Sequence, residues 1–137
     1  MEQSLRDFVR ERAQDRCEYF LQPAHFPVRL LAEHQIEHIV ARQHRGKSES
    51  ANLALACIRC NLFKGPNLSG VDPISGETTR LFHPREDTWL EHFRWEGPFI
   101  IGASAIGRTT VVTLNMNEEA RINRREQLMK VGRFFEE

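Results

Sequence analysis

Residues 37–64 read EHIVARQHRGKSESANLALACIRCNLFK. This stretch begins with the acid–imidazole pair Glu37-His38, passes through Asn52 and reaches Asn61 shortly before its end. Glu37 and Asn61 offer oxygen ligands of the kind that Mg²⁺ or Mn²⁺ accepts. His38 is the type of side chain best able to take up a proton near neutral pH. The set suits one task, which is to hold a hard divalent ion beside a base that activates water against a phosphate.

The local pattern places these residues on a strand, a loop, a second strand and a short helix. The segment 35–40 is short and rich in β-branched residues, which predicts a strand that carries the Glu37-His38 pair. A polar loop over 43–51 follows, and Leu53-Ala54-Leu55-Ala56 can pair back on the first strand as a hairpin. From Ile58 the pattern turns helical until Gly65-Pro66 ends it. On a regular strand Glu37 and His38 point to opposite faces, so this arrangement requires a strand end or a bulge near them.

Basic residues are concentrated in the same stretch, although the net charge of the chain is zero. Between Arg42 and Lys64 there are five Lys or Arg and a single acid, Glu49. Lys64 follows Asn61 by three residues on the predicted helix, so it is expected to share a helical face and to meet a phosphate as a point charge. We assign candidate phosphate contacts to Lys64, Arg42 and Arg45. A solvated loop and helix face would show the same run of charge.

At these residues the chain resembles the HNH nucleases, also called the His-Me finger or ββα-metal family. The resemblance rests on Ile36-Glu37-His38-Ile39, on the segment 52–57, which reads NLALAC, and on Cys60-Asn61-x-x-Lys64, and it covers roughly residues 12–65. A weaker resemblance, to a C-terminal extension of some small bacterial members, lies in the segment 81–93.

The resemblance implies a role for each matching residue. His38 would be the general base, Glu37 and Asn61 would be ligands of one Mg or Mn ion, and Asn52 would be the catalytic-site residue that fixes the loop. An asparagine at the position of Asn61 is an accepted alternative to histidine, and it favours Mg²⁺ or Mn²⁺ over softer metals. The implied activity is divalent-metal-dependent hydrolysis of DNA phosphodiester bonds.

The cysteines depart from the family pattern. Many relatives carry two Cys-x-x-Cys knuckles that together hold a structural zinc ion. Here Cys57 and Cys60 form the second knuckle, but the first reads Cys17-Glu18-Tyr19-Phe20, and phenylalanine cannot ligate zinc. Cys17, Cys57 and Cys60 therefore remain candidate zinc ligands without a fourth member. Either His25 or His34 completes the set, or an apolar plug centred on Phe20 replaces the metal.

The rest of the chain predicts an α+β fold in which further elements surround the ββα-metal core. A helix over 4–15, with Ser4 as its cap, precedes the core. A turn over 72–77 follows it, and the final helix is predicted over 118–132 with Asn117 as its cap. Four further strands are expected, over 79–82, 92–95, 99–102 and 110–114. The bases of the final helix suit either a DNA backbone or the outer face of an amphipathic helix with Ile122, Leu128 and Met129 on the core.

Length and composition predict a single domain over 1–137, with the HNH core at 12–66 and the extension at 67–137 packed on that core. The chain is 40% hydrophobic and 28% charged, as in ordinary globular proteins. Three cysteines, no signal-like apolar segment and no long apolar run predict a cytoplasmic protein that does not enter a membrane.

Two functions from different classes are compatible with the sequence. The first is the DNA endonuclease, with double-stranded DNA as partner and a monomer or homodimer as the assembly. The second is a catalytically inactive HNH-like module that binds nucleic acid and whose first knuckle is already broken. The complete set of Glu37, His38 and Asn61 favours the enzyme, because a binding module would not need it.

Overall fold

The computed structural model describes residues 1–20 and 34–130. The helices in these ranges are α1 (Gln3–Ala13), α2 (Ile58–Lys64), α3 (Trp89–His92), α4 (Ala105–Thr113) and α5 (Glu119–Lys130). The strands are β1 (Gln35–His38), β2 (Leu53–Ala56), β3 (Ser69–Val71), β4 (Thr78–Arg80), β5 (Phe93–Glu96) and β6 (Phe99–Gly102). The mixture of helices with small antiparallel sheets confirms the predicted α+β class. None of the helices in the described ranges is long and apolar enough to span a bilayer.

The hairpin of β1 and β2, followed by α2, forms the predicted ββα unit. Glu37 pairs with Ala54 and His38 with Leu53 in a regular antiparallel register. Side chains alternate across such a pair, so one face of the hairpin carries Ile36 and the other carries Glu37. The first face packs on α1 through a cluster of Val9, Leu53 and Leu55.

The second face of the hairpin contributes to a larger core that also includes residues of the C-terminal half. This core joins thiols and aromatic rings of the ββα unit to apolar residues between 81 and 116. Its buried members are Cys17, Tyr19, Phe20, Ala56, Cys57, Cys60, Leu81, Phe82, Phe93, Ile100, Leu114 and Met116. The ββα unit is therefore covered by α1 on one side and by the C-terminal half on the other.

The predicted strand over 110–114 is wrong, because these residues belong mainly to α4 and its C-terminal cap. Ser104 begins this helix by accepting a hydrogen bond from Gly107 N at 3.0 Å, and the Thr110 hydroxyl donates to the Ile106 carbonyl at 2.7 Å. The helix also approaches α3 and β6 closely, since a Cβ on Gly107 would lie 1.8 Å from the carbonyl oxygen of His92 and 3.2 Å from Cα of Gly102. Tertiary packing thus overrides the strand preference of the β-branched residues at 109–113.

Both predicted helix caps are also wrong. The first helix begins at Gln3 after Glu2, without a side-chain cap. Asn117 does not cap the last helix. Its side chain instead pairs with the backbone of Ile100, accepting from N at 3.0 Å and donating to O at 2.9 Å. The segment 131–132, where the last helix was expected to end, lies outside the described residues.

Candidate metal and nucleic-acid site

His38 lies at the end of β1, partly exposed, with its ring directed to the loop. The ring atom Nε2 lies 2.8 Å from the hydroxyl oxygen of Ser48. Partial burial, and then the nearby positive charge of Arg42, lower the pKa of His38 below its ordinary value of 6.5. Both effects disfavour the imidazolium form. His38 is therefore an imidazole that stays neutral and can accept a proton at neutral pH.

Asn52 fixes the backbone that follows His38. Its side-chain oxygen accepts a hydrogen bond from Val40 N at 2.8 Å, and its Nδ2 donates to the carbonyls of Val40 and Lys47, each at 3.0 Å. The carbonyl of Asn52 accepts from Ile39 N at 2.8 Å. One nearly buried residue thus joins both ends of the loop to the end of β1, which is the contact pattern expected of a loop-fixing residue.

Gly46 makes this loop possible by its small size. A Cβ at this position would lie 1.7 Å from the carbonyl oxygen of Val40 and 2.9 Å from Nδ2 of Asn52. Only a residue without a side chain allows the loop backbone to approach this closely.

Glu37 lies on the opposite face of β1 from His38, because β1 is regular through both residues. The side chain is 3% exposed, and its Oε1 accepts a hydrogen bond from the hydroxyl of Tyr19 and lies 3.5 Å from Nζ of Lys64. Burial raises the pKa of Glu37 to about 7, although the charge of Lys64 and the hydrogen bond from Tyr19 act against the rise. The sequence analysis required a strand end or a bulge near these residues, and β1 ends at His38 without a bulge.

Asn61 and Lys64 project from α2 onto the Glu37 face of the hairpin. Nδ2 of Asn61 donates to Oε1 of Gln35 at 2.7 Å, and this contact is exposed. Gln35 and Glu37 are two residues apart on β1 and therefore point to the same face. The structure thus places the carboxamide of Asn61 and the carboxylate of Glu37 on one side of the hairpin, beside neighbouring strand positions.

The ammonium of Lys64 has protein partners in place of solvent. It donates to the carbonyl of Ile39 at 2.9 Å, it approaches Glu37, and its side chain is 2% exposed. The expectation that Lys64 meets a phosphate from the face of α2 is therefore corrected, because its ammonium is buried against Glu37 and the Ile39 carbonyl. Arg42 and Arg45, by contrast, are exposed in the loop beside His38. Of the three candidate phosphate contacts, these two arginines are the accessible ones.

A carboxylate and a carboxamide on one face suit a hard divalent ion in their chemistry, since Mg²⁺ and Mn²⁺ take oxygen ligands. Asn61 is partly exposed, and its Nδ2 is the atom that binds Gln35. The contacts of Tyr19 and Lys64 to Glu37 are made by Oε1. The donor set of Glu37 and Asn61 therefore fits such an ion by atom type.

Cys17, Cys57 and Cys60 form a second group that could hold a metal ion, with all three sulfur atoms within 4.8 Å of one another. In the described part of the chain this group contains no fourth Cys, His, Asp or Glu. His34 is described and is not a member, whereas His25 lies outside the described residues. A guanidinium, that of Arg121, approaches the group from α5.

Sequence reasoning missed Ser48, Tyr19 and Arg121. A serine in a polar loop carries no signal that it faces a particular histidine. Tyr19 lies inside the incomplete first knuckle, and the local sequence carries no signal that its hydroxyl contacts Glu37. Arg121 looks like one base among several on a surface helix, and only the tertiary structure shows that it is buried.

Residues 17–67 match the family model described as HNH endonuclease. No curated protein and no solved structure matches the chain significantly. The matched segment includes β1, β2 and α2, together with the loop that Asn52 fixes. Domains of this family act on nucleic acids, generally as endonucleases that use divalent metals, which indicates nuclease activity on nucleic acid. Residues 17–67 of this chain therefore match an HNH endonuclease domain.

Proposed function

We propose that the protein is a divalent-metal-dependent endonuclease that hydrolyses DNA phosphodiester bonds. In this proposal His38 is the general base, and Glu37 and Asn61 hold one Mg²⁺ or Mn²⁺ ion. The observation that carries the proposal is the position of His38 within the matched domain. Its imidazole is accessible and neutral, and the backbone after it is held by Asn52.

Each of these residues has a separate role in the proposed reaction. His38 takes the proton from the attacking water, and the depressed pKa keeps its ring unprotonated at neutral pH. Asn52 keeps the loop fixed, so that the ring does not need to reorganise during the reaction. Arg42 and Arg45 supply positive charge for the DNA backbone at the surface beside the ring. When bound, the metal ion polarises the phosphoryl group and stabilises charge on the leaving oxygen.

Lys64 and Tyr19 support Glu37 in this scheme. Both contact Oε1, and among the described residues we assign Oε2 as the ligand atom. Lys64 also holds the carbonyl of Ile39, the residue directly after His38. We therefore assign Lys64 a positioning role, in which one ammonium links the metal-ligand carboxylate to the strand end that carries the base.

The experiment is a plasmid cleavage assay. Supercoiled plasmid is incubated with purified protein and Mg²⁺ or Mn²⁺, in parallel with the His38→Ala variant. The matched control is His44→Ala, which removes an exposed histidine from the same loop. We expect cleavage by the wild type and by His44→Ala, and none by His38→Ala.

Two outcomes would contradict the proposal. Cleavage that survives His38→Ala would remove His38 as the base. Retained DNA binding without cleavage by the wild type, under either metal, would favour the inactive binding module. A gel-shift measurement on the same samples distinguishes that second outcome from a protein that does not bind DNA.

A further inference from the structure

The three buried thiols of Cys17, Cys57 and Cys60 are approached by the guanidinium of Arg121 from the C-terminal helix. Nη2 of Arg121 lies 2.7 Å from Sγ of Cys60 and 3.5 Å from Sγ of Cys57. Arg121 is 5% exposed, and Cys17 and Cys60 are fully buried. We propose that this cluster is closed by the Arg121 guanidinium, and that it holds no structural zinc ion.

The first argument is the position of the guanidinium. A buried guanidinium keeps its proton and has to satisfy its N–H donors within the protein. Among the described residues, the partners of Arg121 are the Leu114 carbonyl at 2.8 Å, the Asn115 carbonyl at 3.1 Å and the sulfur atoms of Cys57 and Cys60. Two of the three sulfur atoms thus accept hydrogen bonds from a cation, which a zinc ion on the same atoms would have to displace.

The second argument is the residue that replaces the fourth cysteine. The guanidinium carbon of Arg121 lies 4.5 Å from the ring centroid of Phe20, and that of Arg125 lies 4.9 Å from it. An aromatic face attracts such cations, most strongly where water is excluded. Phe20 therefore does more than fill space, since its ring binds the two arginines that α5 brings to the cluster.

The third argument concerns the metal itself. Structural zinc is almost always bound by four ligands, and the described residues offer three. The guanidinium contacts two of the three sulfur atoms, and Arg125 is buried beside the same ring. A divalent ion placed here would lie next to two buried cations. The residues around the thiols thus fit an internal cation better than zinc.

The consequence is that α5 is fastened to the ββα unit by this cluster. Arg121 joins the thiols of the unit to the carbonyls at the end of α4, while Arg125 donates to the Pro98 carbonyl at 2.9 Å and to Oδ1 of Asn117 at 3.2 Å. In a zinc-bound domain the metal links two knuckles of one unit. Here the same thiols link that unit to a helix more than fifty residues away in sequence.

Zinc content tests the proposal directly. The wild type is purified, incubated with Zn²⁺ alone, dialysed and analysed for metal by mass spectrometry. We expect no retained zinc. One zinc ion per chain after dialysis, with a fall in the melting temperature on chelation, would overturn the proposal.

A variant designed to bind zinc complements the measurement on the wild type, which is expected not to bind it. Phe20→Cys/Arg121→Met restores a fourth thiol and removes the guanidinium, and we expect it to retain one zinc ion per chain and to show a tetrahedral thiolate spectrum with Co²⁺. The matched control is Phe20→Ala/Arg121→Met, which has three thiols and should retain none. Retention by this control would show that three thiols suffice, and would overturn the argument from ligand number.

The contact of Arg121 with the thiols is tested separately, without any activity assay. Arg121→Met should lower the melting temperature of the protein, because the buried sulfur atoms lose the guanidinium that contacts them. Lys130→Met removes an exposed charge from the same helix and should leave the melting temperature unchanged. A wild-type melting temperature for Arg121→Met would overturn the contact. The proposed nuclease activity enters none of these measurements, so each hypothesis can fail alone.

Discussion

Asn52 holds Val40 at both backbone atoms: Val40 N donates to Oδ1 at 2.8 Å, and Nδ2 donates to Val40 O at 3.0 Å. Val40 follows His38 by two residues, so this pair of hydrogen bonds determines where the strand that carries the imidazole ends. The same side chain reaches the Lys47 carbonyl across the loop. The loop and the strand end are therefore one hydrogen-bonded unit.

Asn52→Ala removes three hydrogen bonds and leaves their backbone partners unpaired in a poorly solvated place. We expect a loss of about 3 kcal/mol in the free energy of unfolding, because each unpaired buried group costs about 1–3 kcal/mol. Urea denaturation measures this loss, and kcat should fall as well. Asn123→Ala, an exposed asparagine on α5, is the control. An equal effect of both substitutions would show that Asn52 has no special role in the loop.

Gly46→Ala tests the close approach of the loop to the strand end. The new Cβ would lie 1.7 Å from the Val40 carbonyl oxygen, which is backbone and cannot turn aside. We expect a lower melting temperature and a loss of cleavage, because the loop has to move away from Asn52. Gln43→Ala changes an exposed residue of the same loop and should leave the melting temperature unchanged. A wild-type melting temperature for Gly46→Ala would show that the loop does not pack this way.

Lys64→Met removes the cation from a buried pair with Glu37 and leaves the Ile39 carbonyl without its donor. Breaking such a pair costs about 3 kcal/mol or more, so we expect a large loss in the free energy of unfolding. We also expect weaker Mn²⁺ binding in titration calorimetry, because Glu37 then keeps its proton to a higher pH. Its pKa is already about 7 with the lysine present.

The salt dependence of DNA binding distinguishes this positioning role of Lys64 from a phosphate contact. Each phosphate contact contributes about 0.9 to the slope of log K against log salt. Arg42→Gln and Arg45→Gln should each reduce the slope by about that amount, while Lys64→Met should leave it unchanged. A reduced slope for Lys64→Met would restore the phosphate contact that the sequence alone predicted.

At a divalent-metal concentration that saturates the site and so keeps Glu37 deprotonated, the pH dependence of kcat/KM should report the titration of His38. A general base acts in its neutral form, so the rate rises as pH passes through its pKa. Since burial and Arg42 lower that pKa, the midpoint of the rise should lie below pH 6.5. Arg42→Gln removes one cause and should move the midpoint to higher pH. Arg45→Gln changes a neighbouring exposed arginine and should not. A midpoint that moves equally in both variants would contradict a local effect of Arg42.

The ββα unit could be predicted from the sequence because its signals are local. The β-branched strand, the Leu-Ala repeat and the Gly65-Pro66 stop each act within a few residues, and the predicted spans of β2 and α2 match the structure. The turn over 72–77 was predicted for the same reason, and the backbone of Asp72 and Glu77 closes it.

The incorrect predictions concern segments whose structure depends on contacts with residues distant in sequence. The segment at 110–114 has the composition of a strand, but packing of its helix against α3 and β6 makes it helical. Arg121 and Arg125 look like surface bases, yet their partners lie at Cys60, Phe20 and Pro98, far away along the chain. No local sequence pattern indicates that an arginine will contact a thiol or an aromatic ring that is distant in sequence.

The indole of Trp89 donates to the carbonyl of Tyr19 at 2.8 Å, and the hydroxyl of that tyrosine reaches Glu37. The segment that matches the family model thus depends on contacts from outside that segment. We expect a fragment of residues 1–67 to give a poorly dispersed NMR spectrum, because the ring of Phe20 and the Tyr19 carbonyl lose their covering residues. A well-dispersed spectrum would prove the opposite. A design that places this ββα unit in another scaffold would therefore have to include counterparts of Trp89, Arg121 and Arg125.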